Sequence, residues 1–181
     1  MEETKTLVLN TFGGPGTGKS TTCAGVFHEM KLSGVNCELA LEWAKEKVWE
    51  GSEHILDSQV YVFGKQYHRI HRLLGKVDLI ITDAPLLNSI LYYKGENQHF
   101  GPLVAFEHFR LQNFNVLLER VKPFNPAGRL QDEKAARALD VRIVQILDFL
   151  DERYYRVPAI RSSVDVITNM ALQKLRQMNG T

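Results

Sequence analysis

The sequence predicts an α/β fold, a five-stranded parallel sheet with helices on both faces. Three observations lead there. Short apolar runs alternate with stretches of helical periodicity along the 181 residues, the order that yields strand, crossover helix and parallel strand. Leu7-Val8-Leu9 and Leu79-Ile80-Ile81 are apolar at every position, as strands buried on both faces must be. A glycine-rich stretch, Gly13 to Gly18, separates the first such run from the first helical one.

Each element has its own reason. Leu7 to Phe12 reads as the first strand, and Lys19 to Leu32 as a helix closed by Gly34. Val35 to Leu41 predicts a second strand and Glu42 to Glu50 a short helix interrupted by Gly51. From Ser58, apolar residues at Val60, Phe63, Tyr67, Ile70 and Leu74 fall three and four apart, which predicts a helix ended by Gly75. Val77 to Asp83 is the third strand, Leu103 to Gln112 a helix, and Phe114 to Leu118 the fourth strand. Gln131 to Glu152 carries Leu139, Ile143, Ile146, Leu147 and Leu150 on one helical face. Arg153 to Val157 completes the sheet, and Ser163 to Met178 is a closing helix capped by Ser162 or Ser163.

Composition narrows the function classes. Hydrophobic residues make up 44% and charged residues 24%, as in an ordinary globular domain, so a disordered chain is excluded. One domain over residues 1–181 is expected at this length. No apolar run exceeds four residues against the ~20 of a spanning helix, and Met1-Glu2-Glu3-Thr4-Lys5 lacks the basic and apolar regions of a signal peptide. The cytoplasm is the expected compartment, with no membrane partner. Twenty-two basic and 21 acidic residues balance to +1, so any DNA contact needs a local basic face. Cys23 and Cys37 are too few for a disulfide framework or a metal quartet and read as buried thiols.

Gly13-Gly14-Pro15-Gly16-Thr17-Gly18-Lys19-Ser20 fits G-x-x-x-x-G-K-[ST]. At average residue usage a chain this long matches by accident about 0.6% of the time, and the strand before and helix after lower that further. In such a P-loop, backbone N–H groups of Gly16 to Ser20 wrap a β-phosphate at a helix N-terminus. Lys19 reaches the β/γ oxygens and the Ser20 hydroxyl ligates Mg²⁺, and Gly13 to Thr21 are the expected nucleotide-binding residues. The alternative is a glycine-rich turn without ligand. The site expected is one for ATP and Mg²⁺.

The second metal anchor should be an acid ending an apolar strand. Asp83 stands there, before Ala84-Pro85, and is otherwise a turn residue; Asp78 begins the same strand and is the weaker candidate. Glu42 follows Leu39-Ala40-Leu41 at the carboxyl edge of the second strand, where an acceptor hydroxyl could be oriented or deprotonated. Its plain reading is a helix-end carboxylate favoured by the dipole. Between the fourth strand and the long helix lies Arg120-Val121-Lys122-Pro123-Phe124-Asn125-Pro126-Ala127-Gly128-Arg129, so a lid is expected over about residues 120–137. Arg129, Arg137 and Arg120 are arginine-finger candidates or, alternatively, solvated surface arginines. Lys65, Arg69, Arg72 and Lys76 form a basic stripe that binds phosphates or simply faces water. His68 and His71 have no further ligand at suitable spacing for a structural zinc.

Taken together, Phe12 to Thr21, Glu42-Trp43-Ala44-Lys45, Thr82-Asp83-Ala84-Pro85-Leu86-Leu87 and Gly128-Arg129 resemble a known group. It is the P-loop kinase domains similar to the nicotinamide riboside kinase part of NadR, an AAA-type group with many phage-encoded members. The resemblance implies a nucleotide-kinase-like P-loop NTPase fold with a small helical lid, Mg²⁺-ATP, and a hydroxyl acceptor near Glu42. The first reading is a kinase on a nucleoside, nucleotide or related small molecule. The second is a kinase on a base in DNA, as some phage relatives look like kinases of hydroxymethylated uracil. The third is a regulatory nucleotide-binding ATPase. A Ras-like switch is opposed by Asp83-Ala84-Pro85-Leu86 in place of D-x-x-G and by the lack of N-K-x-D, and an AAA+ motor would need a further helical domain.

Overall fold

The structure is a computed structural model and describes residues 6–121 and 132–180. Its sheet holds five parallel strands, β1 (Leu7–Phe12), β2 (Cys37–Leu39), β3 (Leu79–Thr82), β4 (Gln112–Glu119) and β5 (Tyr154–Pro158), in the order β2-β3-β1-β4-β5. Parallel pairing demands crossovers, and the helices supply them: α1 (Lys19–Leu32), α2 (Trp43–Trp49), α3 (Gln59–His71), α4 (Asn88–Tyr92), α5 (Phe100–Phe109), α6 (Glu133–Phe149) and α7 (Ser163–Asn179). A 3₁₀ turn at Glu53–Asp57 lies between α2 and α3.

The central strand β1 pairs with β3 from Leu7↔Leu79 to Asn10↔Thr82 and with β4 from Leu7↔Gln112 to Phe12↔Leu117. Side chains alternate across this sheet. Leu7, Leu9, Leu79, Ile81, Phe114 and Val116 pack toward α1 and α7, whose Val26, Met30, Ile167 and Ala171 are buried there. Val8, Phe12, Ile80 and Leu117 face the other way, onto Phe63, Ile70, Leu91, Val104, Ile143 and Leu147 of α3 to α6. Burial on both faces explains why Leu7-Val8-Leu9 and Leu79-Ile80-Ile81 carry no polar alternate.

Not all of this second layer is apolar. Asn10 donates to Asn113 and Asn115 at 2.8 and 3.0 Å, Asn115 donates to Glu152, and the Glu152 carboxylate meets the buried His108 ring at 3.0 Å. These bonds tie α5 to β4 and to the turn before β5, at the half of the sheet away from Gly13.

The elements depart from expectation at their ends. α5 starts at Phe100 because Gly101 and Pro102 fit the first helical turn, where a missing N–H costs nothing. It stops three residues before the expected end, and β4 begins at Gln112. β2 is cut to Cys37–Leu39 because it is an edge strand with one neighbour, β3. α4 and the 3₁₀ turn are too short for a periodic signal. α6 is capped by Asp132, whose side chain accepts from the Ala135 N–H at 2.7 Å. At α7 the Ser163 hydroxyl donates back to the Pro158 carbonyl, and neither serine caps the helix with its side chain.

Candidate functional site

The sheet order reverses direction around β1, and the crevice beyond its carboxyl edge is where an open α/β sheet receives its ligand. The loop Gly13 to Gly18 crosses that edge and runs into α1. Gly18 caps α1 with φ of 100°, a left-handed angle that L side chains resist. Gly14 is fixed by space instead: a Cβ there would lie 2.5 Å from Asp140 Oδ1 and 2.7 Å from the Ala136 carbonyl. Thr17 closes the turn, its hydroxyl donating to the Gly14 carbonyl at 3.0 Å.

Lys19 and Ser20 begin α1. The Lys19 ammonium donates to the Gly13 and Gly14 carbonyls at 2.7 and 3.2 Å, using two of its three protons. Burial pushes its pKa down, and the nearby Glu42 and Asp83 carboxylates oppose that shift. Ser20 Oγ donates to Asp83 Oδ2 at 2.5 Å, and Asp83 Oδ1 accepts the Glu42 N–H at 2.8 Å. Three residues from α1, the end of β3 and the end of β2 thus meet at one carboxylate that is 2% exposed. A hydroxyl beside a carboxylate is the hard-oxygen donor pair that Mg²⁺ takes alongside waters and phosphate oxygens. Asp78 precedes β3, at the opposite edge of the sheet.

Glu42 is partly buried, and burial raises its pKa above the ordinary carboxylate value; Lys19 pulls it back down and Asp83 adds to the rise. It lines a cleft of about 1050 Å³ whose one end is the P-loop, with Lys19, Ser20 and Thr21. Trp49, Gln59, Asn88, Tyr92 and Tyr93 also line it, so the cleft offers aromatic rings and amides beside the loop. The cleft is large enough for a nucleotide and a second small molecule.

A family model described as an AAA domain matches residues 9–165, a span that contains the whole loop, Glu42 and Asp83. The chain belongs to this family. With the five-stranded parallel sheet and the P-loop, membership makes it a nucleotide-binding AAA domain of the P-loop NTPase type. A comparison with curated proteins found no match. Among the described residues of this AAA domain, no helix is long and apolar enough to cross a membrane.

The candidate arginines separate. Arg120 is used within the loop's own support: its Nε donates to Asp140 Oδ2 at 3.0 Å and its Nη2 to the Pro15 carbonyl at 2.8 Å, while the buried Nη1 has no partner among the described residues. Asp140 Oδ1 in turn accepts the Gly14 N–H at 2.6 Å, so Arg120 and Asp140 grip the loop at two consecutive residues. Arg137 pairs with Glu133 at 2.8 Å on the exposed side of α6. Arg129 and Gly128, with most of the expected lid, lie outside the described residues.

The basic stripe is also partly engaged. Arg69 donates to both oxygens of Glu46 at 2.7 Å and to the Leu41 carbonyl at 3.0 Å, and Lys65 sits over the Tyr61 ring. His71 stacks on Tyr67 with ring centres 5.2 Å apart. Cys23 and Cys37 are buried free thiols; burial pushes Cys23 up to about 12, so it stays protonated. Sequence reading missed Asp140 and Gln66. Asp140 carries no motif, although it stands four residues after Ala136 and three before Ile143, at the edge of the apolar stripe of α6. Gln66 did leave a signal, a polar residue set between Phe63 and Ile70 on the apolar face of α3.

Proposed function

We propose that the protein is a Mg²⁺-ATP-dependent kinase that phosphorylates a hydroxyl group of a nucleoside, nucleotide or related small molecule. One observation carries this reading. Glu42 is bonded through its main chain to Asp83, the carboxylate that also holds Ser20, and it lines the same cleft as the P-loop and Trp49, Tyr92 and Tyr93. A carboxylate there is placed to orient or deprotonate an acceptor hydroxyl; hydrolysis alone would use it on water, and the acceptor screen below separates the two.

In this reading the acceptor stacks on Tyr92, Tyr93 or Trp49 with its hydroxyl at Glu42. The acceptor oxygen forms a bond to the γ-phosphorus as the bond from phosphorus to the β–γ bridging oxygen breaks, and ADP leaves. The hydroxyl proton passes to the Glu42 carboxylate, whose raised pKa makes it a better acceptor near neutrality. Lys19 turns from the Gly13 and Gly14 carbonyls to the β/γ oxygens as charge grows there. Ser20 and Asp83 would hold Mg²⁺, which supplies charge neutralisation between the β- and γ-phosphates. The resemblance to NadR-like kinase domains at Glu42-Trp43-Ala44-Lys45 and Thr82-Asp83-Ala84-Pro85 supports the same assignment.

A base carried in DNA is the second reading, favoured by Lys45 and Lys94 in the cleft lining. The pairing of Arg69 with Glu46 weakens it, since that arginine is the middle of the basic stripe. A screen of labelled γ-phosphate transfer over nucleosides, nucleotides, nicotinamide riboside, and plain or hydroxymethylated DNA tests both. Label on a small acceptor supports the first reading, label on DNA the second. ATP hydrolysis without transfer to any acceptor would overturn both in favour of a regulatory ATPase.

A further inference from the structure

Gln66 is 5% exposed, on the face of α3 that packs against the sheet edge. A buried primary amide is costly unless both its ends are bonded, and here both are. Its Oε1 accepts the Trp43 N–H at 3.1 Å, the first amide of α2. Its Nε2 donates to the Ala40 carbonyl at 3.2 Å and approaches Thr82 Oγ1 at 3.4 Å. Thr82 Oγ1 donates to the same Ala40 carbonyl at 2.7 Å and accepts the Ala84 N–H at 3.1 Å.

These bonds enclose the two acids of the site. Ala40 and Trp43 stand two residues before and one after Glu42; Thr82 and Ala84 flank Asp83. Trp43 adds an edge-on contact with Tyr61 of α3, ring centres 5.4 Å apart. Before Glu42 the chain is held by the Ala40 N–H to the Ile81 carbonyl at 2.9 Å and by Arg69 to the Leu41 carbonyl at 3.0 Å, whereas after Glu42 it leaves the sheet and the Trp43 N–H is held by Gln66. A one-ångström drift at such a point can cost about a hundredfold in rate.

We infer that Gln66 is a positioning residue: its amide clamps the β2–α2 junction against the end of β3 and so holds Glu42 in register with Asp83, Ser20 and the acceptor. This rests on the kinase reading for its effect on transfer, but the clamp itself does not. Gln66 also lines the cleft, yet both amide groups are spent on the backbone, so it acts through Glu42.

The test uses the wild type, Q66M, E42Q and the double variant Q66M/E42Q. Methionine keeps the length of the side chain and removes both bonds. Three quantities are read: affinity for a non-hydrolysable ATP analogue with Mg²⁺, transfer rate to the best acceptor of the screen, and hydrogen exchange at the Glu42 and Trp43 amides. Q66M should bind the analogue within about threefold of wild type, exchange both amides faster, and transfer about 10- to 100-fold more slowly. In the E42Q background the same change should cost less than about threefold, because the residue it positions is already disabled. Unchanged transfer in Q66M overturns the inference. So does an equal fall in both backgrounds, which would make Gln66 a support of the fold alone. If the wild type phosphorylates no acceptor, the kinase reading fails, and exchange decides the clamp: unchanged protection at Glu42 and Trp43 overturns it. Where Q66M is too unstable, Q66N keeps an uncharged amide but is one methylene too short to bond both Trp43 and Ala40, and the same comparisons apply with the same outcomes.

Discussion

At the residue, the site's chemistry turns on two groups whose pKa values burial moves in opposite senses. Lys19 is partly buried among carbonyls and carboxylates at the cleft, not against the apolar core, so Lys19→Ala should fold normally. It should lose transfer by ~10²–10³-fold, the scale for one preorganised donor to developing charge. Glu42 has its pKa raised by burial, so the proton-accepting carboxylate forms at a higher pH than for an ordinary glutamate. Transfer should therefore climb with pH through that raised pKa and level off above it. Stability runs the other way: the folded state holds this proton more tightly than the unfolded chain, so this group lowers stability as pH rises between the two values. Glu42→Gln should abolish the acidic limb of the profile and lower transfer ~10²–10⁴-fold, with analogue binding retained. A Glu42→Gln profile that keeps its limb would assign the titration to another group.

At the element, the P-loop does not stand on its glycines alone. Asp140 of α6 holds the Gly14 N–H while Arg120, just past β4, holds the Pro15 carbonyl, and the two bond each other. Asp140→Ala would release both and leave a buried guanidinium without its carboxylate. It should cost about 1–3 kcal/mol of stability by chemical denaturation, and weaken binding of the ATP analogue more than Arg137→Ala, which only breaks an exposed pair. Equal affinities for the two variants would show that the grip is structural only. The loop itself was legible in the sequence because glycine, lysine and serine are dictated locally, by backbone angle and phosphate geometry. Its supports were not: Asp140 and Arg120 are 20 residues apart and meet Gly14 only through the packing of α6 beside β4. Strands β1 and β3 were legible for a related reason, since burial on both faces writes an unbroken apolar run. α4 escaped notice because five residues carry too little periodicity, and α5 was displaced because Gly101-Pro102 reads as a breaker where it is a first turn.

Across the whole molecule, the site draws on three strand ends at once, so ligand binding and global stability are linked. Ser20 belongs to the helix after β1, Glu42 follows β2 and Asp83 ends β3, and the bonds at Asp83 join all three. Anything that binds this edge in the folded state alone stabilises the chain by mass action, about 2.7 kcal/mol at a hundred times its Kd. For a chain of this length, each kcal/mol moves Tm by roughly 2–4 °C, so a saturating Mg²⁺–ATP analogue should raise Tm by about 5–10 °C. The metal's share can be separated from the nucleotide's. Asp83→Asn keeps an oxygen able to accept from Ser20 or Glu42 while removing the negative charge. It should keep most of the shift produced by the analogue in EDTA and lose most of the increment that Mg²⁺ adds. Lys19→Ala should lose the larger part of the shift under both conditions, because its contact is with the phosphates themselves. Thermal melts of the three proteins with analogue, with and without Mg²⁺, give the comparison directly. If Asp83→Asn gains as much from Mg²⁺ as the wild type does, Asp83 does not anchor the metal, and its bonds to Ser20 and Glu42 serve only to lock the strand ends together.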